Sequence, residues 1–80
     1  MKSLDERLSL AKTILHELSR EPLSRTILEK RVTRKIGTHA SFEGMFRYLI
    51  HKGCIEKSGQ KIRDFYRITE KGRKLLEGLP

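Results

Sequence analysis

From Gly53 to Gly72 the chain reads GCIEKSGQKIRDFYRITEKG. Here the helical spacing of apolar residues gives way to alternation. Tyr66 and Ile68 flank Arg67, a period of two that turns the apolar pair to one face and the arginine to the other. Cys54 to Lys57 reads as a short strand and Ile62 to Thr69 as a longer one, with Ser58-Gly59-Gln60-Lys61 as the turn between them. The result is a β-hairpin over 54–69 with Lys57, Lys61, Arg63 and Arg67 at its tip and edges. A hairpin set among helical segments makes the expected class α+β, mainly α.

The flanking patterns are helical. Over 3–20, Leu4, Leu8, Ala11, Leu15 and Leu18 recur at spacings of four and three, and Leu10 and Ile14 widen the stripe. Ser3 with Glu6 forms a capping box, and Asp5 and Glu6 sit in the first turn, where the helix dipole favours acid. The stripe is broader than a small three-helix core needs. Leu10 and Ile14 therefore either widen the buried face or meet a second subunit. Pro22 breaks the helix. Ser24 is the next N-cap, and Ile27, Leu28, Arg31 and Val32 give a short helix over 24–33. The link RKIGTH holds Gly37, suited to the positive φ of a tight turn, above Ile36 as an apolar plug.

The stretch THASFEGMFRYLIHK gives a third helix over 38–52, with Phe42, Met45, Phe46 and Leu49 at i, i+3, i+4 and i+7. Thr38 can cap it and Gly53 can end it in the left-handed conformation. Its other face carries Ser41, Glu43, Gly44, Arg47 and His51, few of which obstruct a close partner. After the hairpin, Thr69 caps a last helix over 70–78 that returns Leu75, Leu76 and Leu79 to the core. Gly72 costs that helix about 1 kcal/mol against alanine, which points to a close helix–strand contact. Without linker, repeat or low-complexity segment, residues 1–80 read as one domain.

Charge narrows the function. The net charge is +8, yet residues 1–21 hold four basic and four acidic side chains, and the other fourteen basic residues face six acidic ones after them. So lopsided a body suits a polyanion partner, whose phosphates release counterions on contact. General solubility or heat adaptation is the plainer explanation, but thermophile surfaces are rich in both signs. With one cysteine no internal disulfide can form. No apolar run approaches the ~20 residues that span a bilayer, and the N-terminus lacks a signal peptide's apolar segment, so a cytoplasmic protein is expected. His16, His39 and His51 are scattered, and only His51 and Cys54 come close, short of the four ligands of a structural zinc site. Cys54 beside Ile55 reads as a small buried hydrophobe. No phosphate loop, carboxylate pair or triad spacing is present. The expectation is a protein that is no enzyme and takes no metal, cofactor or small-molecule ligand.

The order helix, helix, turn, helix, hairpin, helix resembles the winged helix-turn-helix domains. The stretch LIHKGCIEKSGQKIRDFYRITEKGRKLLE is similar to the ending of small archaeal and archaeal-virus regulators, through Leu49, Gly53, Cys54, Ile55, Tyr66, Ile68, Thr69 and Gly72. Leucine is usual where Cys54 stands, and polar or basic base-readers are usual where Glu43 and Gly44 stand. The resemblance implies that the third helix lies in the major groove of double-stranded DNA through Thr38, His39, Ser41, Gly44 and Arg47, with the hairpin as a wing on an adjacent minor groove or phosphate strand. Arg47 is the candidate for guanine, with a phosphate clamp or a solvated residue as alternatives. Thr38 and Ser41 bond phosphate or only cap the helix. Gly44 admits DNA backbone or lets the second helix pack close. Arg25, Lys30, Arg31, Arg34 and Lys35 on the second helix, with Lys57, Lys61 and Arg63 on the wing, are the candidate phosphate contacts.

The implied function is a sequence-specific transcriptional regulator. It would work as a homodimer joined through Leu10, Ile14, Leu75 or Leu79. The alternatives are an interaction subunit of a transcription or replication assembly, for which an exposed Phe65 would speak, and a non-specific RNA- or DNA-coating protein.

Overall fold

The computed structural model describes residues 4–36, 42–58 and 65–79, with the side chains of 4–6 and 36 left aside. The element order is α1 (Leu4–Arg20), β1 (Leu23–Ser24), α2 (Arg25–Ile36), α3 (Phe42–His51), β2 (Ile55–Lys57), β3 (Phe65–Ile68) and α4 (Glu70–Gly78). The protein is a small α+β fold, mainly helical, with one antiparallel three-stranded sheet in the order β1-β3-β2. Ile55 stands opposite Ile68, Glu56 opposite Arg67 and Lys57 opposite Tyr66.

On the other edge of β3, Leu23 pairs with Tyr66 and Ser24 with Phe65. This first strand is absent from the sequence reading, because two residues have no period to detect. It begins directly after Pro22, a residue that strands tolerate at an edge or a start. The second helix runs to Ile36, three residues past the expected end. Thr38 as a cap, the Gly37 turn, the Ser3 cap and the hairpin tip all lie outside the described residues.

Helix α1 is the hub, touching α2, α3, α4 and β3. That is why its buried arc is so broad: Leu10 and Ile14 are 3% and 0% exposed, inside the core with Leu15 and Leu18. They are therefore closed to a second subunit, contrary to the expectation that they join a dimer. The core adds Leu23, Leu28, Val32, Phe42, Phe46, Leu49, Cys54, Ile55 and Ile68. Phe42 and Phe46 stack at 5.4 Å, and Phe46 meets Tyr66 edge-on at 4.9 Å. Phe65, expected to be exposed, is half-buried on its strand.

Two joints hold α3 against the sheet. Gly53 takes φ +81, its N–H donates to the Ile50 carbonyl at 3.0 Å, and the Cys54 N–H donates to the Leu49 carbonyl at 2.9 Å. This is a Schellman ending, which satisfies two carbonyls the helix would otherwise leave open. Across from it, Thr69 caps α4 by accepting from the Gly72 N–H at 3.1 Å while its hydroxyl donates to the Gly53 carbonyl at 2.6 Å. Among the described residues no helix is long and apolar enough to cross a membrane.

Candidate nucleic-acid interface

With Phe42, Phe46 and Leu49 buried, the opposite face of α3 is left to Gly44, Arg47, Tyr48 and His51. These four repeat the i, i+3, i+4, i+7 spacing of the apolar stripe, turned to the outside. Arg47 is 78% exposed at its side chain, Tyr48 is 51% exposed, and Gly44 and His51 are exposed. Tyr48 is absent from the sequence reading although the same spacing pointed to it. The ammonium of Lys52 lies 5.6 Å from its ring centre, so the tyrosine carries a cation at its side.

A Cβ added at Gly44 would meet nothing within 4 Å. Packing of the second helix is therefore not the reason for glycine here. Gly44→Ala is expected to stabilise the free protein by about 0.5–1 kcal/mol, the usual gain in an open helix. A thermal melt checks this: the midpoint should rise by several degrees for a domain of this size.

The basic residues of α2 do not form one free cluster. Arg25, at its start, reaches the Glu29 carboxylate at 3.4 Å and also the carboxylate of Glu43 on α3. Its guanidinium lies 5.6 Å from the Phe42 ring centre and 6.0 Å from that of Phe46. Glu43 also accepts from Arg47 Nε at 2.8 Å.

Towards the other end of α2, Arg31 and Lys35 turn to α1. There Glu17 is 1% exposed, the only buried charged side chain among the described residues. The Lys35 ammonium stands 2.5 Å from Glu17 Oε2. Arg31 and Arg20 approach Oε1 at 3.6 and 3.8 Å, and Arg31 bonds Glu21 at 3.1 Å. The Lys35 contact holds the Glu17 carboxyl below its ordinary range; burial pulls it up, and the charges of Lys35, Arg20 and Arg31 pull it further down.

Arg20, Glu21, Arg31, Arg34 and Lys35 line a shallow concavity of about 330 Å³ beside this group. Lys30 and Arg34 are exposed, and no ion pair among the described residues involves either. On the hairpin, Lys57 is exposed, and Arg67 pairs across the strands with Glu56 at 2.6 Å.

Thr38, His39, Ser41, Lys61 and Arg63 lie outside the described residues. The structure thus brings Arg25, Glu43 and Arg47 together at one end of α2 and Arg31 and Lys35 around Glu17 towards the other. Lys35 is ten positions after Arg25, about 15 Å along the helix. No protein-family model, curated protein or solved structure matches the chain.

Proposed function

We propose that this chain is a sequence-specific, double-stranded DNA-binding transcriptional regulator of the winged helix-turn-helix class, acting as a homodimer. The observation that carries the reading is the bare outer face of α3 on a strongly basic chain. An open glycine, an exposed arginine, a tyrosine and a histidine stand there, and the one carboxylate beside them is bound to two arginines. A helix of this width enters a major groove ~12 Å across. The order of helices followed by a β2–β3 hairpin is compatible with a winged layout. In it Lys57 and the residues beyond it would follow phosphates while α3 lies on base edges. A dimer sets two such helices about 34 Å apart on a palindrome. Its contact would fall to α4, where Leu75 is 39% exposed, and to Leu79 just after it, which with Leu75 lines a groove shared with α1 and α3.

Fluorescent duplexes titrated at several salt concentrations, together with selection from a random-sequence pool, test this. Affinity should fall steeply with salt, with a log–log slope of roughly −5 for about five or six neutralised phosphates. The pool should converge on paired half-sites one helical turn apart. A flat salt response, or no duplex preferred over a heparin-competed background, would overturn the reading.

One observation favours a second reading, an interaction module of a larger assembly. Arg7, Leu8, Ala11, Met45, Tyr48, Leu49, Leu75 and Leu79 line a largely apolar groove of about 290 Å³ between α1, α3 and α4. No carboxylate among the described residues lines it, Arg7 does, and the Lys52 ammonium lies 5.6 Å from the ring centre of its Tyr48. Such a groove suits an acidic amphipathic helix laid in by its apolar face. Under this reading Arg47→Ala leaves partner binding intact, whereas the regulator loses DNA affinity.

A further inference from the structure

We infer that Glu43 is a positioning residue that aims Arg47 at a guanine and keeps both neighbouring arginines from acting as plain phosphate clamps. The inference rests on the DNA-binding reading above. A guanidinium has two useful edges, and in Arg47 the Nε position is taken by Glu43 Oε2 at 2.8 Å. The edge formed by Nη1 and Nη2 makes no hydrogen bond among the described residues. That edge is the fork that meets O6 and N7 of guanine with two parallel hydrogen bonds.

Glu43 is itself held from the other side. Its Oε1 contacts Arg25 Nη2. Arg25 in turn is fixed by Glu29 at 3.4 Å and by the faces of Phe42 and Phe46. A chain of contacts therefore runs from the aromatic core through Arg25 and Glu43 to the tip of Arg47. Each carboxylate oxygen already faces a guanidinium, so a cytosine amino group would have to compete with two arginines for Glu43. Its negative charge, which would otherwise repel phosphate, is matched by two guanidinium groups.

Stability alone does not account for the arrangement. Glu43 and Arg47 are 47% and 78% exposed at their side chains, and an exposed pair four residues apart adds only a few tenths of a kcal/mol. An acidic residue in the first described turn of α3 also interacts favourably with the helix dipole. That effect is indifferent to which base is bound, so base preference separates the two roles.

The experiment is random-pool selection and salt-dependent titration with the full chain, comparing wild type, Glu43→Gln, Glu43→Asp, Arg47→Ala and Glu43→Gln combined with Arg47→Ala. Wild type should select guanine at one position in each half-site. Glu43→Gln should lower discrimination at that position about tenfold while strengthening binding to unrelated duplexes. It should also steepen the salt slope by about one, as the released guanidinium groups turn to phosphate. Glu43→Asp, too short to reach Arg47 Nε with Arg25 still bound, should behave in the same way. Arg47→Ala should lose preference at that position alone. In the double variant the Glu43 change should cost no further preference, since the two act as one unit. Melting temperatures should stay within a few degrees of wild type throughout.

If Glu43→Gln keeps the full guanine preference, or if the selected sites hold no guanine, this inference fails while the DNA-binding reading stands. If wild type binds no duplex, that reading fails and takes the inference with it.

Discussion

Gly72→Ala should destabilise the protein by about 2–4 kcal/mol, although alanine is the better helix former by about 1 kcal/mol. Gly72 sits in the first turn of α4, over the backbone that leaves α3. A Cβ there would run into the Cys54 carbonyl oxygen and lie 2.8 Å from Ile68 Cγ1 and 3.1 Å from the Cys54 carbonyl carbon. The obstacle is backbone, and that backbone is engaged: the same Cys54 carbonyl accepts from the Thr69 N–H at 2.9 Å. Thr69 is meanwhile bonded to the Gly53 carbonyl and to the Gly72 N–H. Moving α4 away to admit a methyl group strains all three bonds and opens the packing of Ile68. In a domain of this size total stability is of order 5–10 kcal/mol, so the loss is a large fraction of it. Urea unfolding of Gly72→Ala beside Gly44→Ala makes the comparison direct, since the two glycines should shift the midpoint in opposite directions. A Gly72→Ala protein as stable as wild type would mean that α4 does not press on Cys54.

That contrast also shows what a sequence can and cannot display. Gly53 and the Thr69 cap are legible because a positive φ and a helix cap are set within a few residues, and Gly72 is legible as a glycine inside a helix, although the Cys54 carbonyl it makes room for lies eighteen positions away. The stripe of Phe42, Phe46 and Leu49 was legible for the same reason: its geometry is the helix's own period. The pairing of Arg25 with Glu43 was not, because eighteen positions separate them and only the packing of α2 on α3 brings them together. Glu17 is an intermediate case. It stands three residues after Ile14 and seven after Leu10, on the arc that α1 buries, so its position hinted at burial. In the sequence its charge counts only as one of the four acidic residues that balance residues 1–21. The basic residues of α2 read alike as phosphate contacts, although their number does not say which of them a carboxylate already holds. On the outer face of α3 the charged and small residues stand out in the sequence, and Tyr48 does not.

Glu17 is therefore the site of the second large effect. Glu17→Ala should cost about 2–3 kcal/mol, combining lost burial, the space left behind and the loss of a counter-charge to three cations. The cost stays below that of breaking a wholly buried pair, because Lys35, Arg31 and Arg20 are each more than a third exposed and can turn to water. Glu17→Gln keeps the shape and should cost about half as much. Acid should act on the same bond. The folded carboxyl is held below its ordinary value of 4.5, so ionised Glu17 contributes its full stability above that pH. The contribution drains away as the pH falls through the lower, folded value. Unfolding curves taken from pH 7 down to pH 2 should show wild type and Glu17→Gln converging below about pH 4.5. A gap between them that stays constant to pH 2 would rule out an ionised Glu17 held by Lys35. The same substitution raises the net charge by one and releases Lys35 and Arg31 from their shared carboxylate. If the α2 cations meet phosphate, Glu17→Gln should then bind unrelated duplexes more tightly with a steeper salt dependence, without changing which base is selected. Stability and base-independent affinity would thus move in opposite directions on one substitution at the core.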